Sequence, residues 1–144
     1  MTQAAVIFYV PGFVEITHRQ DLNAVWIAYA ALNDHTGTYI PKAVRAATAF
    51  ATSHDIPNWV ADTARPTDEL SELDATWVAG QEFRDIMLGS SISNFVLIPP
   101  APETGADTSW IPEWQASTQA GFGNNIKVEV LDNLTEIKSF FDED

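Results

Sequence analysis

From Ile40 onward the hydrophobic pattern switches repeatedly between the period of a helix and that of a short buried run, and this alternation restricts the fold more than anything else in the chain. Ile40, Ala43, Val44, Ala47, Phe50 and Ala51 recur at helical spacing with Lys42, Arg45 and Thr48 opposite them, and Pro41 suits a first turn. This helix is expected to end near His54, before Asp55-Ile56-Pro57. Residues 58–63 form an apolar run with polar ends, the pattern of a strand covered on both faces. Pro66-Thr67-Asp68-Glu69 then opens a second helix, with its acids where the macrodipole favours them. That helix is expected to reach Leu88, with Leu70, Leu73, Trp77, Gly80, Phe83 and Met87 near one face and Gly89 as its stop. Residues 94–98 are the next strand, halted by Pro99-Pro100, and residues 101–109 an exposed loop. A third helix is expected from Trp110 to Ala120, ended by Gly121 and Gly123. Residues 126–130 alternate as a strand, and Asn133 with Glu136 forms a capping box for a last helix bearing Leu134, Ile137, Phe140 and Phe141.

The first third reads differently. Residues 13–18 alternate apolar and polar side chains, Gln20-Asp21-Leu22-Asn23 supplies a turn, and residues 24–29 are rich in β-branched and aromatic types, which together predict a β-hairpin. Four alanines between residues 24 and 32 suit a helix as well, but Val25, Trp26, Ile27 and Tyr29 favour the strand. Residues 6–10 are also strand-like, and Pro11-Gly12 makes them an edge strand or a bulged extension. Asn33-Asp34-His35-Thr36-Gly37 is a loop by composition. The sum is an α/β chain with a single mixed sheet, an antiparallel N-terminal hairpin followed by helix–strand units and a closing helix, in one domain over residues 1–144.

The order and spacing of Trp59-Val60-Ala61-Asp62-Thr63-Ala64-Arg65, the Trp77 helix, Phe95-Val96-Leu97-Ile98-Pro99 and Val128-Glu129-Val130-Leu131-Asp132-Asn133-Leu134 resemble the SpoIIAA-like group, whose architecture is shared with STAS domains and CRAL-TRIO lipid carriers. The resemblance spans about residues 14 to 144 and implies a non-enzymatic regulatory or ligand-binding module. STAS-type antagonists are switched by phosphorylation of a serine in an Asp-Ser-Ser/Thr-Gly turn. Here Asp62-Thr63-Ala64-Arg65 lacks the glycine and the paired hydroxyls, leaving Thr63 or Thr67 for the equivalent place, beside the like charges of Asp62, Asp68 and Glu69. CRAL-TRIO carriers are larger, and little sequence is left here for a lipid gate.

Lys and Arg number 7 against 20 Asp and Glu, a formal charge of −13 that repels phosphate backbones and anionic membranes, so no nucleic-acid partner is expected. Cysteine is absent, which removes thiolate chemistry, and no apolar run is long enough for a membrane span. Without a basic leader at Met1-Thr2-Gln3-Ala4, a cytoplasmic location is the default expectation. His18, His35 and His54 have no partner at metal-ligand spacing, so no metal and no cofactor are expected. His18 would share a face with Val14 and Ile16 as a half-buried residue. Ser90, Ser91 and Ser93 lie in no Gly-x-Ser-x-Gly elbow, and Gly121-Phe122-Gly123 runs from helix to strand, the reverse of a phosphate loop.

The candidate site is Asp62, Thr63 and Arg65, at the carboxyl end of an expected central strand, where open α/β sheets bind ligands. The structural alternative has Asp62 accepting loop amides while Arg65 pairs with it or with Glu69. Trp110 and Trp114, four apart on a helix, either pack on the sheet or line a pocket or partner surface. The expected partners are a second copy of the chain, through an uncharged edge over residues 6–10 or through the Trp110 helix, and a protein or small apolar ligand. The other functions open to the sequence are a small hydrolase or isomerase using Asp62 with His18 or His35, and a purely structural self-associating subunit.

Overall fold

The computed structural model describes residues 5–33, 38–68 and 70–142. Six strands form one mixed sheet in sequence order: β1 (Ala5–Val10), β2 (Val14–Arg19), β3 (Ala24–Tyr29), β4 (Asn58–Asp62), β5 (Asn94–Ile98) and β6 (Lys127–Val130). β1 to β3 pair antiparallel, and β3 to β6 parallel. The helices are α1 (Tyr39–Ser53), α2 (Glu72–Val78), α3 (Gln81–Leu88), α4 (Ile111–Phe122) and α5 (Leu134–Phe141), with a 3-10 turn at Pro102–Thr104. This is the α/β architecture expected from the alternation of periods.

Pro11 and Gly12 do not merely interrupt a ladder. They make the turn that joins β1 to β2: the Phe13 N–H donates to the Val10 carbonyl at 3.0 Å, and Gly12 sits at φ +75° as the third residue of a type II turn requires. β1 is both alternatives at once, an edge strand and a bulged one, with the register slipping between Val6 and Phe8. His18 lies half-buried against Phe50 of α1, ring centroids 5.3 Å apart.

The parallel crossovers each advance one strand in the same direction, so right-handed connections place α1, α3 and α4 on one face. There Ile16, Val25, Ile27, Trp59, Phe95, Leu97 and Val128 meet Ala43, Val44, Ala47, Phe83, Met87, Ile111 and Phe122 in the main core. The opposite, outer face has one cover, α5, whose Ile137 and Phe141 pack on Leu22, Ala24, Val60, Val96 and Ile98.

Two helical expectations are corrected. The single helix expected from Pro66 to Leu88 is two, because Gly80 leaves helical geometry at φ −94°, ψ 177° and resets the phase between α2 and α3. Leu73, assigned to the buried stripe, is 70% exposed in consequence. The start moves to Ser71, whose hydroxyl accepts the Asp74 N–H, and residues 66–68 and Leu70 stay outside the helix. Asp68 is occupied otherwise, its two carboxylate oxygens each accepting a backbone N–H at 2.9 Å, from Leu32 and Asn33 after β3. Gly121 does not end α4, which runs on to Phe122 and is closed by Gly123 at φ +60°. At α5 the Asn133 half of the capping box forms, its Oδ1 accepting from Thr135 N and Glu136 N.

Candidate functional site

Asp62 ends β4, and Thr63 and Arg65 follow it. Asp62 belongs to the outer face, in register with Ala28 and Ile98, and accepts the Trp26 Nε1–H at 3.1 Å and the Ala64 N–H at 3.1 Å. Thr63 is buried, its hydroxyl donating to the Ile98 carbonyl at 2.6 Å while its own N–H donates to the same oxygen at 3.0 Å. The Thr63 hydroxyl is thus engaged and buried, whereas Thr67 is exposed. Arg65 is exposed and forms no ion pair with Asp62. Glu69, its other expected partner, lies outside the described residues, as does His35. Among the described residues no hydrogen bond or ion pair joins the three side chains.

Asp62 and His18 face opposite sides of the sheet. His18 packs on α1 at the main core, while Trp26, which holds Asp62, pairs in register with Thr17 on the other side. A general acid–base pair needs its members within hydrogen-bond reach of a shared substrate, which this separation prevents for Asp62 with His18. Among the described residues no group of three or more His, Cys, Asp or Glu is placed to hold a metal ion, and no helix is long and apolar enough to cross a membrane.

Trp110 and Trp114 do meet, edge to face at 6.2 Å, but with different duties. Trp114 packs against the main core with its ring 6.0 Å from Phe95. Trp110 stands just before α4, 39% exposed, and its Nε1–H donates to the Asp107 carbonyl at 2.7 Å. The Asp107 carboxylate is held below its usual pKa by the Ser109 N–H and hydroxyl that it accepts, so this loop is tied by its own side chains.

The arrangement that spacing did not disclose is on the outer face of the antiparallel strands. The bulge in β1 sets Val6 opposite Thr17 and Tyr9 opposite Glu15, so these two residues, three apart in sequence, stand on the same face. α5 does not reach them: Val6 is 57% and Tyr9 58% exposed. Beside them Thr17 pairs with Trp26, and the Arg19 guanidinium lies 4.8 Å above the Trp26 ring while bonded to Asp21 through two contacts of 3.0 and 2.8 Å. The Arg19 contact holds the Asp21 carboxyl below its ordinary range, and Asp21 in turn raises Arg19. Trp26, Tyr9, Val6 and Thr17 thus make an aromatic and apolar strip, with Asp62 at one corner and Glu15 beside Tyr9. The signal for it was the bulge, which a sequence does not announce.

A second arrangement lies on the main-core side, at the carboxyl end of β3. Asp74 of α2 is 1% exposed and accepts the Ser71 hydroxyl at 3.0 Å. Tyr29 is buried nearby, its phenol pKa pushed well above the usual value by burial first and by the Asp74 charge second. Ser71-x-x-Asp74 is the capping-box pattern, and that was the trace of Asp74 available in the sequence. Compared with known proteins, the chain matches no family model, no curated protein and no solved structure.

Proposed function

We propose that the chain is a non-enzymatic regulatory or ligand-binding module of SpoIIAA-like type, whose working surface is the open half of the sheet's outer face. The observation that carries this reading is the pair Val6 and Tyr9, exposed together on the outer face beside half-buried Thr17 and Trp26, while α5 and the cluster it covers bury Val60 and Val96 completely and meet only the Trp26 side of the strip. Large exposed apolar groups placed together on a flat sheet mark interaction surfaces, and Tyr and Trp are the residue types that carry such contacts. The order of elements, an antiparallel start, three parallel crossovers and a closing helix, supports the resemblance to the SpoIIAA-like group. The neutral apolar dye Nile red tests the surface: it binds the folded protein, and Tyr9→Asp with Val6→Asp abolishes the binding without unfolding the chain. Equal dye binding by the double variant removes the strip from the proposal.

The first occupant we assign is a second copy of the chain. Among the described residues β1 is an edge paired on one side, and between Gln3 and Val14 the only ionisable side chain is Tyr9, in a chain of charge −13. A two-fold pairing centred between Ile7 and Phe8 sets Val6 against Tyr9 of the second copy. Two chains of the same sign repel, and salt screens that repulsion, with a Debye length of about 10 Å at 0.1 M falling to about 3 Å at 1 M. Self-association through β1 therefore strengthens with salt, whereas a basic protein held by the acidic surface would be released by it. Sedimentation velocity at those two salt concentrations decides: a dimer of the 15.8 kDa chain that tightens with salt is the expected result, and a 15.8 kDa species throughout rejects the homodimer. The expected cytoplasmic setting is part of the same proposal.

A further inference from the structure

We propose that the cleft between α3 and α4 binds the terminal oxyanion of a ligand, a carboxylate or a phosphate, through Arg84. The cleft is lined by Gly80, Phe83 and Arg84 from one side and Ser117, Thr118 and Gly121 from the other. Arg84 is half-buried there, and among the described residues its guanidinium has no hydrogen bond and no ion pair. Acids outnumber bases 20 to 7 in this chain; of its four arginines Arg19 and Arg45 each have a carboxylate and Arg65 is exposed, which leaves Arg84 as the half-buried arginine without one among the described residues. A guanidinium offers five N–H donors in a planar fork matched to carboxylate and phosphate oxygens, and two hydroxyls on α4 line the same space.

Gly121 makes the room. It lies inside α4, where glycine is less stable than alanine, and a Cβ built on it would stand 2.8 Å from Arg84 Nε and 3.4 Å from Cζ. The missing side chain lets the guanidinium lie against the helix instead of swinging into solvent. Gly80, the N-cap of α3, lines the cleft without any capping side chain. Of the acids next to Arg84 in α3, Glu82 is paired with Arg45 at 3.1 Å and accepts from Trp77 Nε1, and Asp85 is exposed. The enclosed space is about 30 Å³. That exceeds the roughly 10–15 Å³ one water needs, and suits an end group rather than a whole nucleotide or sugar.

The test titrates the protein with inorganic phosphate and separately with acetate, following backbone amide resonances against sodium chloride at matched ionic strength. Saturable shifts confined to residues around Arg84, Thr118 and Gly121 are expected with one of the two, which then identifies the end group as phosphate or carboxylate. Arg84→Gln removes the shifts while the remaining spectrum stays that of the folded protein. Gly121→Ala keeps or raises the melting temperature yet weakens binding at least tenfold, a combination that a purely structural glycine would not produce. Absence of saturable shifts with both anions overturns the site, as does equal binding by wild type and Arg84→Gln.

Discussion

Trp59 is the residue on which the sheet depends most visibly. It is 2% exposed and stacks on Phe95 of the neighbouring strand with centroids 6.0 Å apart. Trp59→Ala is expected to cost on the order of 3–5 kcal/mol in denaturant melts, because the surrounding core cannot collapse into the space; a cost under about 1 kcal/mol would mean that the ring is not held there. Tyr29 allows a prediction about pH. Its phenol pKa is raised in the folded protein, so above the unfolded-state value of about 10 the unfolded chain releases a proton that the folded chain retains. Its contribution is complete below that pH and is lost as pH rises toward the folded value. Stability should thus fall in the alkaline range, and Tyr29→Phe should flatten that limb; an unchanged alkaline slope in urea melts at successive pH values would contradict the burial of the phenol beside Asp74.

At the scale of elements, periodicity was enough wherever one side of a helix or both sides of a strand are buried. β4 and β5 were legible because residues 58–61 and 94–98 are buried without a break, and α1 because Ile40, Ala43, Val44, Ala47 and Ala51 all face the sheet. The stretch between β4 and β5 was not, since Leu70, Leu73 and Trp77 continue the helical spacing of Phe83 and Met87 across a backbone break at Gly80 that leaves no mark in a hydrophobic pattern. The different partners of Asp62 and Thr63 were not legible either. Asp62 bonds Trp26 on the outer face, whereas Thr63, one residue past the end of β4, turns its hydroxyl to the Ile98 carbonyl, so the two adjacent residues have separate partners. The α5 cap was legible from Asn133, and Asn133→Ala should cost about 1 kcal/mol, the usual worth of such a cap. Thermal melts measure it directly, and a neutral substitution would show that Ile137 and Phe141 hold α5 without the cap.

For the whole molecule, the asymmetry between the two faces matters more than any single pocket. Three crossovers in one direction put α1, α3 and α4 on the same side, so among the described residues the other face has only α5, a helix of 8 residues that cannot span six strands. The half it leaves open is the half where the bulge turns Val6 and Tyr9 outward together. Charge acts at this scale as well: the chain's −13 discourages close approach everywhere except along an edge strand that carries none of it. Hydrogen exchange of the β1 amides, followed from low to high protein concentration, addresses this surface most directly. Amides on the outer edge of residues 5–10 are expected to become protected as concentration rises, and Tyr9→Asp to abolish the change. Exchange at β1 that stays the same over the whole range, or protection that appears instead around Trp110, would contradict it.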